Sequence, residues 1–192
     1  MSNKTKDKLN IIVTGGTGRF GSMLKKIKTN YNVFYPNKKE LNILNSKSIE
    51  DYIKKKKAKI LIHLAGLSRP MNIHEENIKK SINLNIIGTS KIVIGCSKFN
   101  VKLIYISTNF VYPGTKGNYN EDDDLKPINN YAWSKLGGEA AVKLYKNSLI
   151  LRVCTTEEPF IHNKAFTDVR TNFEYHANIA PIIFKLIKKN GI

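Results

Sequence analysis

The sequence predicts an α/β chain built on a doubly wound parallel sheet, and three observations predict it. Short β-branched runs recur at Asn10–Thr14, Asn32–Tyr35, Lys59–Leu64, Val101–Ile106 and Ser148–Val153. Stretches of helical character separate them, the order that gives a parallel sheet with helices on both faces. The first run closes on Gly15-Gly16 and the fourth on Ser107-Thr108. Flexible and polar residues therefore gather at strand carboxyl ends, where open α/β sheets place their ligands.

Each element has its own reason. Asn10–Thr14 is nearly continuous in apolar, β-branched side chains, as a strand covered on both faces must be. Ser22–Lys28 has helical character, and Asn32–Tyr35 is a second strand stopped by Pro36. Ser46–Lys57 reads as a helix, with Ser46 as the N-cap and Glu50 completing a looser capping arrangement. Lys59–Leu64 is a third strand ending in Ala65-Gly66. Ile78–Phe99 carries Ile82, Ile86, Ile92 and Val93 at near-helical spacing and predicts a helix. Val101–Ile106 is the fourth strand, Asn130–Lys146 a helix and Ser148–Val153 the fifth strand. Beyond Val153 the pattern weakens: Cys154–Tyr175 is mixed and polar, and Ile179–Lys189 reads as one amphipathic helix. Gly114–Asn130 is a surface loop, and its run Glu121-Asp122-Asp123-Asp124 points in different directions, as a solvated stretch does and a metal site does not. There is no internal repeat and no low-complexity linker.

Composition narrows the class. The 192 residues fit one domain, or one domain and part of a second, and 41% apolar residues supply an ordinary core. The net charge of +17 raises the question of nucleic acid. However, only Arg19, Arg69, Arg152 and Arg170 among the 32 basic residues are arginine, the side chain suited to bidentate recognition of phosphate and bases. Lysines spread along a chain also crowded with Asn and Ile fit AT-rich codon usage better than a dedicated nucleic-acid surface. Cys96 and Cys154 are isolated, without metal-ligand spacing, and read as buried thiols of a reducing compartment. Met1–Leu9 is polar and lysine-rich, unlike a signal peptide, and no apolar run approaches the ~20 residues that span a bilayer. The expectation is a soluble cytoplasmic chain with no metal, no membrane and no specific nucleic acid.

The chemistry lies in two motifs. Gly15, Gly18 and Gly21 follow a G-x-x-G-x-x-G spacing between a β-branched strand and a helix. Glycine there allows a sharp turn and close backbone approach to a pyrophosphate, and the helix beyond supplies N–H donors and a favourable dipole. This predicts an NAD(P)-binding Rossmann domain over residues 1–153. Tyr35-Pro36-Asn37-Lys38-Lys39 offers no acidic residue for an NAD ribose, while Lys38 and Lys39 could meet a 2′-phosphate, so the expectation leans from NAD to NADP. The second motif, Tyr131 and Lys135, places a phenol and an amine one helical turn apart on one face. A nearby cation favours the phenolate and lowers a tyrosine pKa from ~10 toward the range useful for acid–base work. Thr108, at the end of the fourth strand, can hydrogen-bond the substrate oxygen that Tyr131 protonates.

In this order, the glycine turn, Ser107-Thr108-Asn109-Phe110-Val111-Tyr112 and Tyr131-x-x-x-Lys135 running on to Gly138-Glu139 resemble the extended branch of the short-chain dehydrogenase/reductase superfamily. Within it the chain is most similar to the dTDP-4-dehydrorhamnose reductase family, over roughly residues 10–153. The resemblance implies that Gly15, Thr17, Gly18, Arg19, Phe20, Gly21, Asn42, Ala65 and Gly66 bind the cofactor. It implies that Thr108, Tyr131 and Lys135 are catalytic, with Lys135 and Tyr131 also touching the cofactor. It makes Asn85 a structural residue beneath the site and His63 a packed strand-end residue. The implied activity is NAD(P)H-dependent reduction of a 4-keto-deoxysugar nucleotide, in a homodimer formed through the Tyr-Lys helix. The alternatives are a nucleotide-sugar 4-epimerase and a non-catalytic dinucleotide-binding regulatory subunit. Asn109-Phe110, standing where dehydratases carry Asp-Glu, argues against elimination of water. Asn42 and Asn109 stand where the family has aspartate, and residues 154–192 correspond to a partial or truncated substrate-binding region.

Overall fold

A computed structural model describes residues 8–160, 163, 167 and 171–192. The polar N-terminal stretch, apart from Lys8 and Leu9, and most of 161–170 within the mixed polar segment fall outside those residues. The strands are β1 Asn10–Thr14, β2 Asn32–Phe34, β3 Ile60–His63, β4 Lys102–Thr108 and β5 Ser148–Val153. They form one parallel sheet in the order β2-β1-β3-β4-β5. The chain order reverses between β1 and β3, and ligands of doubly wound sheets bind outside the carboxyl ends at such a point. This is the Rossmann-type architecture that the sequence predicts.

Alternation along the strands builds a core on each face. Ile12, Leu61, Leu103, Tyr105 and Ile150 pack with Ile49, Ile53, Ile92 and Val142 from α2 Ser46–Lys56, α5 Gly88–Lys98 and α6 Asn130–Lys143. Ile11, Val13, Ile62, Ile104 and Ile106 pack with Leu24 of α1 Arg19–Leu24 and with Ala180, Ile183 and Phe184 of α7 His176–Leu186. Gly191 lies beside the outer edge of β5, where the Ile150 amide donates to its carbonyl at 2.9 Å.

Several boundaries differ from expectation, each for a local reason. α1 begins at Arg19 rather than Ser22, because the Ser22 amide already donates to the Gly18 carbonyl at 2.8 Å. The cap of α2 is Asn45, not Ser46: its extended backbone lets the side-chain carbonyl accept from the Ser48 amide at 3.1 Å. α6 is capped by Asn129 on the Ala132 amide at 2.8 Å and ends at Lys143. α7 starts at His176, one turn before Ile179. A small parallel pair, β6 Thr155–Thr156 and β7 Glu174–Tyr175, adjoins α7 and carries no signal in the sequence. The stretch 78–99 is not one α-helix: after α3 Ile73–Glu76 come α4 Ile78–Ser81, a π-helical turn over Ile82–Ile87, and then α5. Among the described residues no helix is long and apolar enough to cross a membrane.

Candidate active site

The glycine turn leaves β1 at the reversal point. Gly15 has φ +74°, a left-handed backbone, and a Cβ there would lie 2.7 Å from the Ala65 amide nitrogen. A Cβ on Gly21 would lie 2.6 Å from Gly16 Cα. The turn thus packs against Ala65 with no room for side chains, as close backbone approach requires. Thr17 and Arg19 are exposed on its rim, and the Phe20 ring sits 5.1 Å from that of His176, fixing the start of α7 beside it. Ala65 and Gly66 follow β3 across the crevice. Asn42 is not drawn to the glycine turn. Its side-chain carbonyl accepts from the Leu44 amide at 3.0 Å, an Asx turn that leads into α2.

At the other end of the crevice Thr108 closes β4 and Tyr131 opens α6. The Tyr131 ring is flanked edge-on by His74 and Phe110, with centroids 5.2 and 6.4 Å away. Burial raises the phenol's pKa, while the neighbouring Thr108 hydroxyl and the charge of Arg69 lower it; the net shift is upward. This departs from the expected lowering by Lys135, and the reason is geometric. The Lys135 ammonium donates to the Ile106 carbonyl at 2.7 Å and lies 4.1 Å from the Tyr105 ring centroid. Burial pushes its pKa down to about 7 against the opposing pull of Glu139. The cation that acts on Tyr131 is Arg69.

Buried polar groups brace these side chains from below. His63, fully buried, bridges Thr14 Oγ1 at 2.7 Å and Thr89 Oγ1 at 3.1 Å, and burial pushes its pKa down to about 3, so it stays neutral. It is the packed strand-end residue that the sequence suggests. Asn85 accepts from the Leu67 amide at 2.7 Å and donates to the Leu67 carbonyl and Ser134 Oγ, both at 2.8 Å. It ties the segment after Gly66 to the helix that bears Tyr131. Arg152 and Glu139, 6% and 4% exposed in their side chains, pair at 3.0 Å, and Arg152 reaches Tyr112 Oη at 2.8 Å, anchoring α6 to β5 and to the acidic loop. In that loop Asp123 accepts from Lys116 Nζ at 2.8 Å.

A nicotinamide dinucleotide fits this crevice on two observations. The glycine turn is a cradle that a Cβ would fill, and Ser107 Oγ, Asn109 Oδ1 and Thr156 Oγ1 are buried at the carboxyl side of the sheet without hydrogen-bond partners. Among the described residues no three His, Cys, Asp or Glu side chains gather as a metal site. The sequence reading missed Arg69 and Glu157, which meet here. The signal for Arg69 was its rarity in a lysine-rich chain. Glu157 lies in a stretch without periodicity and had none.

The family model described as RmlD substrate binding domain matches residues 9–157. The chain belongs to this family. Methionine adenosyltransferase 2 subunit beta of Xenopus tropicalis is 31% identical over 153 residues, 74% of this chain and 45% of that protein. The dTDP-D-glucose 4,6-dehydratase of Dictyostelium discoideum is 30% identical, over 94% of this chain and 48% of its own length. This member of the RmlD family thus spans about half the length of the curated relatives it matches. The dTDP-4-dehydrorhamnose reductase of Bacillus anthracis, solved in complex with NADP, superposes with a TM-score of 0.82 at 25% identity, over 95% of this chain and 71% of the other.

Proposed function

We propose that the chain reduces the keto group of a 4-keto-deoxysugar nucleotide with NAD(P)H. The observation that carries this is the placement of Thr108 at the carboxyl end of β4 beside Tyr131 in the first turn of α6, at the same sheet edge as a glycine turn with no room for side chains. A bound nicotinamide dinucleotide supplies hydride to the carbonyl carbon. Tyr131 gives its proton to the carbonyl oxygen, and a phenol kept protonated by burial is ready to donate it. Thr108 orients that oxygen and, with Arg69, stabilises the phenolate left behind. Lys135 fixes the end of β4 through Ile106, and burial keeps its pKa low. Lys38 and Lys39 follow β2 with no acidic residue between them and the strand, and this supports the lean to NADP over NAD. Residues 154–192 contribute to the substrate-binding side of the crevice in this reading. The test is sugar-dependent NADPH oxidation by wild type and Tyr131→Phe with a dTDP-4-keto-6-deoxysugar. Turnover lost in the variant, with NADPH affinity kept, supports the reading; equal turnover in both, or C4 epimerisation without cofactor use, sinks it.

A second reading is a dinucleotide-binding subunit without turnover. It is favoured by the similarity to a protein named as a subunit of methionine adenosyltransferase. NADPH binding with no oxidation in the same assay would select it.

A further inference from the structure

Three charged side chains from distant parts of the chain meet at the rim of the crevice. Arg19 lies in the glycine turn, Arg69 four residues beyond Ala65, and Glu157 directly after β6. Glu157 Oε1 is 2.9 Å from Arg19 Nε, and Oε2 is 3.6 Å from Arg69 Nη1. The carboxylate is only 16% exposed, yet neither oxygen makes an aligned hydrogen bond to another residue, and Arg69 Nη1 lacks one as well. Burial acts to raise the Glu157 pKa, but its own backbone amide, Arg19, Arg69 and His176 outweigh it and hold the group ionised.

This is a contact of charge without fork geometry. A guanidinium offers five N–H donors arranged to meet two oxygens at once, and each arginine here meets a single carboxylate oxygen. With Arg19 45% and Arg69 34% exposed in their side chains, this is a partly solvated contact that contributes little stability and yields readily to a partner that matches more of the donors. A diphosphate is such a partner: two adjacent anionic groups with oxygens enough for both forks. Both arginines stand where the proposed dinucleotide would lie, Arg19 on the glycine turn and Arg69 near enough to Tyr131 to act on its phenol.

We propose that Arg19 and Arg69 form a two-armed site for the diphosphate of a nucleotide, and that Glu157 is its built-in competitor. The carboxylate holds both arms together until a diphosphate displaces it. It thereby sets an apparent affinity lower than the arms alone would give, by the fraction of time they are held. The inference rests on the dinucleotide reading and adds to it Arg69 as a second arm beside Arg19 and Glu157 as an internal anion that tunes them.

The test is equilibrium binding of NADPH, ADP and adenosine to the full chain, as wild type, Glu157→Gln, Arg69→Gln and the double variant, each checked for folding by circular dichroism. Glu157→Gln is expected to tighten NADPH and ADP about fivefold to tenfold and to leave adenosine unchanged. Arg69→Gln is expected to weaken NADPH and ADP about tenfold, and in the double variant the gain from Glu157→Gln shrinks. No tightening in Glu157→Gln, equal tightening of adenosine, or tighter binding in Arg69→Gln overturns the proposal. Wild-type binding that ignores both substitutions overturns it alone, whereas no NADPH or ADP binding by any of the proteins overturns the dinucleotide reading with it.

Discussion

The Lys135 ammonium lies 2.7 Å from the Ile106 carbonyl oxygen and 4.1 Å from the centre of the Tyr105 ring, so this lysine grips the end of β4 and not the Tyr131 phenol. Its stability consequence follows from its protons. The folded pKa is about 7 and the unfolded value 10.5. Between these pH values the unfolded chain binds more protons, so stability rises with pH across the window and is lost as pH falls toward 7. Lys135→Met should flatten that rise, whose limit is about 1.4 kcal/mol per pH unit, while turnover disappears. Urea midpoints at pH 7 and pH 9 for the two proteins check it; parallel curves would refute the assignment.

His63 acts in the same sense over a lower window. Its folded pKa is about 3 against 6.5 unfolded, because burial between Thr14 and Thr89 excludes the imidazolium. The chain should lose stability as pH falls from about 6.5 toward 3. His63→Gln should be less stable at neutral pH yet show a shallower acid limb, read from thermal midpoints across that range.

Gly15→Ala should cost on the order of 1–3 kcal/mol, since φ of +74° and an amide nitrogen 2.7 Å from the new methyl both oppose it. If the turn is the dinucleotide cradle, NADPH affinity falls together with stability. A variant as stable and as tight-binding as wild type would remove the turn from both roles.

Asn85→Ala leaves the Leu67 amide and carbonyl and the Ser134 hydroxyl with one partner fewer each. The expected loss is about 2–4 kcal/mol in denaturant unfolding. Amide exchange should rise at Leu67 rather than across the sheet, because the bond that protects it is gone.

The five sheet strands are legible in the sequence as apolar, largely β-branched runs, and their parallel direction follows from the alternation with helices; their order β2-β1-β3-β4-β5 comes from the structure alone. The glycine turn, Thr108, Tyr131 and Lys135 are legible because spacing alone sets their faces. What spacing cannot show is which neighbour a long side chain chooses. Lys135 is on the face that the sequence predicts, yet its four-carbon stem carries the ammonium past Tyr131 to a backbone carbonyl. Arg69 and Glu157 come together only because the segments after β3 and β6 fold over one crevice, a long-range juxtaposition with no local pattern. Ser46 lost the cap of α2 to Asn45 by one residue, as two polar side chains in a row always allow.

The π-turn at Ile82–Ile87 sets a length constraint on this part of the chain. Removing one residue there would restore regular α-helical spacing, but every side chain before the cut would rotate about 100° relative to those after it. Asn85 would then swing off either Leu67 or Ser134, and Gly88, whose missing Cβ leaves room for Ile43, would face the wrong neighbour. The widened turn works as a phase adjuster between two packing surfaces that a regular helix could not satisfy together. Insertions and deletions should therefore be tolerated in the acidic loop and excluded from these six residues.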